Sequence, residues 1–172
     1  DTETTSLSEM RAELVGVALA VGPGEACYIP VGHGSGGGLD FGGATPVQLP
    51  RELVVARLKG LLEDASVLKV LQNAKYDFHI LLRQGIRLHP IDDTMLMSYV
   101  LDEGLHGHGM DELSERYIGH KPISFTDVAG KGKGQVTFDR VPIPEATAYS
   151  AEDADVTLRL HGLFKQIGRA HV

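Results

Sequence analysis

Asp1-Thr2-Glu3-Thr4 opens the chain with two carboxylates one residue apart, beside threonines that favour extended backbone. An apolar run comes soon after, so the tetrapeptide reads as the end of a β-strand. Side chains alternate across a strand, which points Asp1 and Glu3 to one face. Two like charges on one face repel unless water or a cation stands between them. A divalent ion held by carboxylate oxygens is one such cation. Taken alone, the four residues read better as an acidic stub in solvent. Two further carboxylates, both on helices, change that reading.

Beyond the opening strand, Leu14 to Val21 is an apolar run, Gly22-Pro23-Gly24 marks a turn, and Ala26 to Val31 is a third strand. Three strands with short connections make an antiparallel meander. Gly32 to Gly43 is rich in glycine but lacks the Gly-Lys-Ser/Thr ending of a phosphate-binding loop, so a flexible surface connection is expected there. Pro50 opens a helix in which Leu53, Val54, Leu58, Leu61 and Leu62 recur at helical spacing. Val67 to Leu71 is a short buried strand. Gln72-Asn73-Ala74-Lys75-Tyr76-Asp77 leads into a helix ending near Gln84, with Gly85 as its C-cap.

Asp93 reads as the N-cap of a helix from Thr94 to Leu101, and another helix runs from about Met110 to Tyr117. Within Phe125 to Phe138, the stretch Ala129-Gly130-Lys131-Gly132-Lys133-Gly134 is too glycine-rich for regular structure, and its lysines suit either solvent or a phosphate backbone. Pro142 and Pro144 introduce a long helix from about Glu145 to Gln166. The order predicts an α/β layer architecture: a mixed β-sheet, antiparallel meander plus parallel strands, flanked by helices.

The chain has 172 residues, enough for one domain with a substantial core. Cys27 is its single cysteine, which rules out an internal disulfide and fits a reducing compartment. No apolar run approaches the ~20 residues of a membrane span, so no membrane partner and a cytoplasmic location are expected. A net charge of −7 argues against a protein that coats nucleic-acid backbone. It leaves room for a nucleic-acid enzyme whose acids gather around divalent metals. No apolar stripe stands out as an interface, so a monomer is expected.

In the last helix Tyr149 and Asp153 are four residues apart and share a face; Asn73 and Asp77 have the same relation if their helix begins early enough. Asp155 is placed to pair with Arg159, and Glu152 is expected to face solvent. Taken together, Asp1, Glu3, Asp77 and Asp153, with Tyr149 beside the last, resemble the DEDDy exonucleases, specifically the 3′→5′ proofreading domains of bacterial family A DNA polymerases. The match runs in order through Asp-Thr-Glu-Thr, Gln-Asn-Ala-Lys-Tyr-Asp, Ala-Gly-Lys-Gly-Lys and Tyr-Ser-Ala-Glu-Asp-Ala-Asp-Val-Thr. A sister group carries a catalytic histidine five residues before the last Asp, where this chain has Ala148.

The resemblance implies a ribonuclease-H-like fold and a single 3′→5′ exonuclease domain over residues 1–172, a fragment of a larger polymerase. It implies two divalent ions, Mg²⁺ or Mn²⁺ and in some members Zn²⁺, at the 3′ end of single-stranded or frayed DNA. Deoxynucleoside monophosphates would be released by two-metal in-line displacement. Asp1 would bridge both metals, Glu3 and Asp153 would complete one site, and Asp77 would support the second through water. Tyr149 would orient the attacking water. Thr2, Thr4 and Leu7 would lie near the terminal nucleotide, with Asn73, Tyr76 and Phe125 further along the strand. The polymerase domain of the same chain is the implied partner.

Two departures stand out. Relatives place Arg-His before the Met-Asp pair, whereas Gly107-His108-Gly109 precedes Met110-Asp111 here, which leaves His106 or His108 as substitutes for a phosphate-contacting Arg. The chain also begins at Asp1, where relatives have apolar residues before that Asp. Two alternatives to a DNA exonuclease remain open: an RNA-trimming relative of the ribonuclease D type, and a catalytically silent scaffold attached to a polymerase.

Overall fold

The computed structural model describes residues 1–34, 46–102 and 104–170. Most of the glycine-rich connection expected over Gly32 to Gly43 lies outside the described residues. The antiparallel meander is present as β1 (Thr2–Thr4), β2 (Leu14–Gly22) and β3 (Glu25–Pro30), in the order β1-β2-β3. A second, parallel pair joins β4 (Lys69–Leu71) to β5 (Ile91–Asp93). The helices are α1 (Arg51–Leu62), α2 (Ala74–Arg83), α3 (Thr94–Leu101), α4 (Met110–Tyr117), α5 (Phe125–Ala129) and α6 (Ile143–Ala170).

β2 is the core of the sheet and is packed on both faces. Glu3 pairs with Gly16 and Thr4 with Leu14, so Val15 is an extra residue in the ladder. Such a bulge shifts the alternation of faces by one. Val15 and Ala18 therefore pack with Phe138, Ala146 and Ala154 on the α6 side, while Leu14 and Val17 pack with Val54 and Ile80 from α1 and α2. The Tyr28 ring lies across Gly16, where any Cβ would overlap it. Its hydroxyl is hydrogen-bonded to His33 Nε2 at 2.7 Å, and His33 Nδ1 reaches the Val141 carbonyl at 3.0 Å. This buried chain of contacts ties the segment before α6 to the sheet.

Several boundaries differ from the sequence reading. The buried strand expected over Val67 to Leu71 is shortened to β4, because Val67 and Leu68 are turned toward solvent. In α1 only Val54 and Leu62 are fully buried, while Leu53 and Leu61 are exposed on the flank of the apolar face. Ahead of the glycine-rich stretch, α5 is opened by a capping box in which Ser124 and Asp127 satisfy each other's backbone; the stretch itself holds only a 3₁₀ turn at Gly132–Gly134, and a second 3₁₀ turn follows at Phe138–Arg140. α6 extends past both expected ends. Asp93 caps α3 as expected, accepting from Met95 N, and it also accepts from Asn73 N and Ala74 N at the start of α2.

Replacing Gly16 by alanine forces a methyl group into a ring that its His33 hydrogen bond holds in place. Overpacking of this kind costs about 1–3 kcal/mol. Urea unfolding should show a lower midpoint with an unchanged slope; an unchanged midpoint would mean that the Tyr28 ring yields freely.

Candidate active site

The site is assembled from the two ends of the chain. Alternation along β1 sets Asp1 and Glu3 on one face, and Asp1 is held to β2 by its backbone: Ala18 N donates to Asp1 O at 3.0 Å and the Asp1 amine donates to Ala18 O at 3.1 Å. α6 crosses that face and brings in Asp153. One carboxylate oxygen from each of Asp1, Glu3 and Asp153 lies within 4.8 Å of the others. Tyr149, one helical turn before Asp153, stands beside it on the same face of the helix.

Asp77 stands apart from that trio. It comes from the first turn of α2, is 2% exposed, and its Oδ1 accepts from both Thr2 N at 2.7 Å and Thr2 Oγ1 at 2.6 Å. Glu3 Oε1 accepts from Ser150 Oγ at 2.7 Å. Asp153 Oδ1 is buried with no hydrogen-bond partner. A buried carboxyl oxygen left without a partner is costly, and three convergent carboxylates with such an oxygen suit a hard divalent cation.

The electrostatics are set by burial. Desolvation, opposed by the Ser150 hydrogen bond, raises the Glu3 carboxyl from 4.5 to about 7. Desolvation, then repulsion from Glu3, raises Asp153 from 3.8 to about 8, against the stabilising contact with Tyr149. Burial also raises Asp77. Tyr149 is pushed far above its ordinary value by burial, then by Asp153, so it stays a neutral phenol, able to donate or position rather than act as a base.

The remaining expected residues divide by exposure. Leu7 is 96% exposed, on a loop anchored where Thr4 Oγ1 and the Tyr76 hydroxyl both donate to Ser6 O. Phe125 is half-exposed and stacked on buried Phe138, with ring planes 22° apart, beside Tyr149. Leu7 and Phe125 are thus apolar groups left open to solvent. Asn73 is exposed but is not on the Asp77 face of α2: the helix begins at Ala74, and Asn73 is its left-handed cap at φ 59°. Thr2 is 7% exposed, and its hydroxyl donates to Asp77 Oδ1.

Two other expectations change. The His106 side chain is 2% exposed against Tyr117 and Asp102, so it is not presented to a phosphate. His108 Nδ1 is engaged with Ser98 Oγ at 2.9 Å. Glu152 does not face solvent: it accepts from Ile123 N at 2.6 Å and meets His120 Nε2 at 2.8 Å, which ties the loop after α4 to α6. Asp155 does pair with Arg159, at 2.7 Å. Sequence reasoning misses two residues. Ser150 is detectable as the i−3 neighbour of Asp153 on one helix face, whereas nothing local marks Phe138 as the base under Phe125.

Comparison with known proteins gives one consistent outcome. Residues 1–168 match the family described as 3′-5′ exonuclease. DNA polymerase I of Rhizobium leguminosarum is 55% identical over 170 residues, covering 93% of this chain and 17% of that protein. The Pseudomonas aeruginosa DNA polymerase I is 50% identical over 164 residues, covering 94% and 17%. The chain therefore spans about a sixth of the length of these relatives. Among solved structures, Brucella melitensis NrnC superposes with a TM-score of 0.71 at 22% identity, covering 99% of this chain and 72% of that one, a likeness of fold.

Glu3 and Asp153 hold their protons to higher pH when folded than when unfolded. Between about pH 4 and pH 8 the folded state therefore binds more protons, and its stability falls as pH rises through that window. In chelator the melting temperature should drop from about pH 5 to about pH 8, and Glu3→Gln should flatten the slope. A wild-type slope that the substitution leaves unchanged would contradict this assignment.

Proposed function

This chain belongs to the 3′-5′ exonuclease family of the DNA polymerases I, and from that premise we propose that it removes the 3′-terminal nucleotide from single-stranded or frayed DNA as a DEDDy-type proofreading domain. The observation that carries the reading is the convergence of Asp1, Glu3 and Asp153 within 4.8 Å, with a buried Asp153 oxygen left without a partner. The family uses divalent metals, and this donor set of hard oxygens fits Mg²⁺ or Mn²⁺, with Zn²⁺ also within its range.

In the proposed mechanism Asp1, Glu3 and Asp153 would hold one cation, and Asp1 with Asp77 would support a second. Bound cations of this kind activate water near neutral pH and offset charge on the leaving 3′ oxygen. Tyr149, kept neutral by burial, orients the attacking water through its hydroxyl. Asp77 Oδ1 is itself held by Thr2, which also ties α2 to the strand that carries Asp1 and Glu3. Leu7 and Phe125 offer apolar surfaces against which any terminal base can stack, a sequence-tolerant contact suited to proofreading. A mispaired end is the cheaper one to separate and deliver. The polymerase portion of a longer chain and a place with the bacterial chromosome in the cytoplasm belong to the same reading.

The test uses an end-labelled DNA primer with a 3′ mismatch, incubated with Mg²⁺ or Mn²⁺. A ladder that shortens from the 3′ end should appear and should fall by more than about 100-fold in Asp153→Ala, beyond the usual effect of losing an outer-shell partner. A matched RNA oligonucleotide cut faster than DNA would transfer the assignment to RNA trimming. No cleavage together with no Mn²⁺ binding would leave a scaffold. Because the metal cancels the repulsion among the acids, Mn²⁺ should raise the melting temperature more at about pH 8 than at about pH 5.

A further inference from the structure

Ser150 lies between the two side chains by which α6 enters the site. It comes one residue after Tyr149 and precedes Asp153 by three, which turns it toward the same side of the helix as Asp153. It is 0% exposed, and its hydroxyl donates to Glu3 Oε1 at 2.7 Å across 147 residues of sequence. This is the single hydrogen bond that joins α6 to a carboxylate of β1 among the described residues.

Glu3 has particular need of such a partner. Its side chain has three rotatable torsions, it is nearly buried, and it is repelled by Asp77 and by Asp153. Without a donor, the long carboxylate relieves that repulsion by swinging away from its neighbours. Asp77 faces the same repulsion but is held by two donors from Thr2. Glu3 has Ser150. A hydrogen bond to an ionised acceptor is roughly twice as strong as one between neutral groups. It engages Glu3 Oε1 while one Glu3 oxygen lies within 4.8 Å of an oxygen from each of Asp1 and Asp153.

We propose that Ser150 is a positioning residue for cation binding: its hydroxyl fixes the Glu3 carboxylate in the geometry that the acid cluster needs before a divalent ion arrives. The inference rests on the exonuclease reading of the cluster. It explains why a polar side chain occupies a fully buried position between Tyr149 and Asp153, where apolar packing alone calls for alanine.

Calorimetric titration of the whole chain with Mn²⁺ tests it, comparing wild type with Ser150→Ala and Ser150→Cys. Losing an outer partner of a metal ligand weakens binding by about 10–100-fold, so both variants should show dissociation constants raised by at least the lower figure. Cysteine is close in size and only a weak donor, so it preserves the packing while removing the strong bond. It therefore decides the question if the alanine variant folds poorly. Binding of a single-stranded oligonucleotide in chelator should be unchanged in both variants. A Ser150→Cys protein that binds Mn²⁺ as tightly as wild type overturns the positioning role, even if its melting temperature falls. A wild-type chain that binds no Mn²⁺ overturns instead the reading of the cluster as a metal site, and this inference with it.

Discussion

The structure is organised around an unfavourable interaction, the mutual repulsion of acidic groups gathered in a desolvated space. Burial and proximity together push Glu3 to about 7 and Asp153 to about 8, far above ordinary carboxylates. No hydrophobic gain accrues from that arrangement itself, so the surrounding elements must hold it. They do so from both sides: β1 is pinned to β2 through Ala18, and α6 is packed along the sheet by Phe138, Ala146 and Ala154.

The donors in the cluster are distributed unequally. Thr2 supplies two to Asp77, Ser150 supplies one to Glu3, and Asp153 Oδ1 receives none. A site that satisfied every oxygen internally would have no remaining affinity for a cation. One that satisfied none would lose its geometry as each carboxylate turned toward water. The graded pattern places most restraint at the periphery and leaves the oxygen on α6 open. The aromatic base of Phe138, Phe125 and Tyr149 then connects the acids to an apolar surface beside them.

The bulge at Val15 is a second constraint with reach. By adding one residue opposite the Glu3–Thr4 step, it shifts which residues of β2 face α6 and which face α1 and α2. Both faces of the strand are apolar, so the shift costs no burial. Gly16 then lies under the Tyr28 ring, whose hydroxyl leads through His33 to Val141, just before α6 begins. The same few residues of β2 thereby set the position of both strand-borne acids and the helix that opposes them.

The sequence by itself determined the meander, the longer helices and the convergence of Asp1, Glu3 and Asp153. Those features are local or obey fixed spacing: alternation joins Asp1 to Glu3, a four-residue step joins Tyr149 to Asp153, and Asp93 is a cap because a helical run begins at Thr94. Only the tertiary structure decided what each neighbour of the acids does. Thr2 was open to a nucleotide in extended backbone, and only the approach of α2 turned its hydroxyl to Asp77. Glu152 looked solvent-facing by helix periodicity, and only the loop after α4 covered it. Ser150 acquires its partner from a strand 147 residues away. Hydrogen bonds between distant segments depend on how elements pack, and no spacing along the chain encodes them.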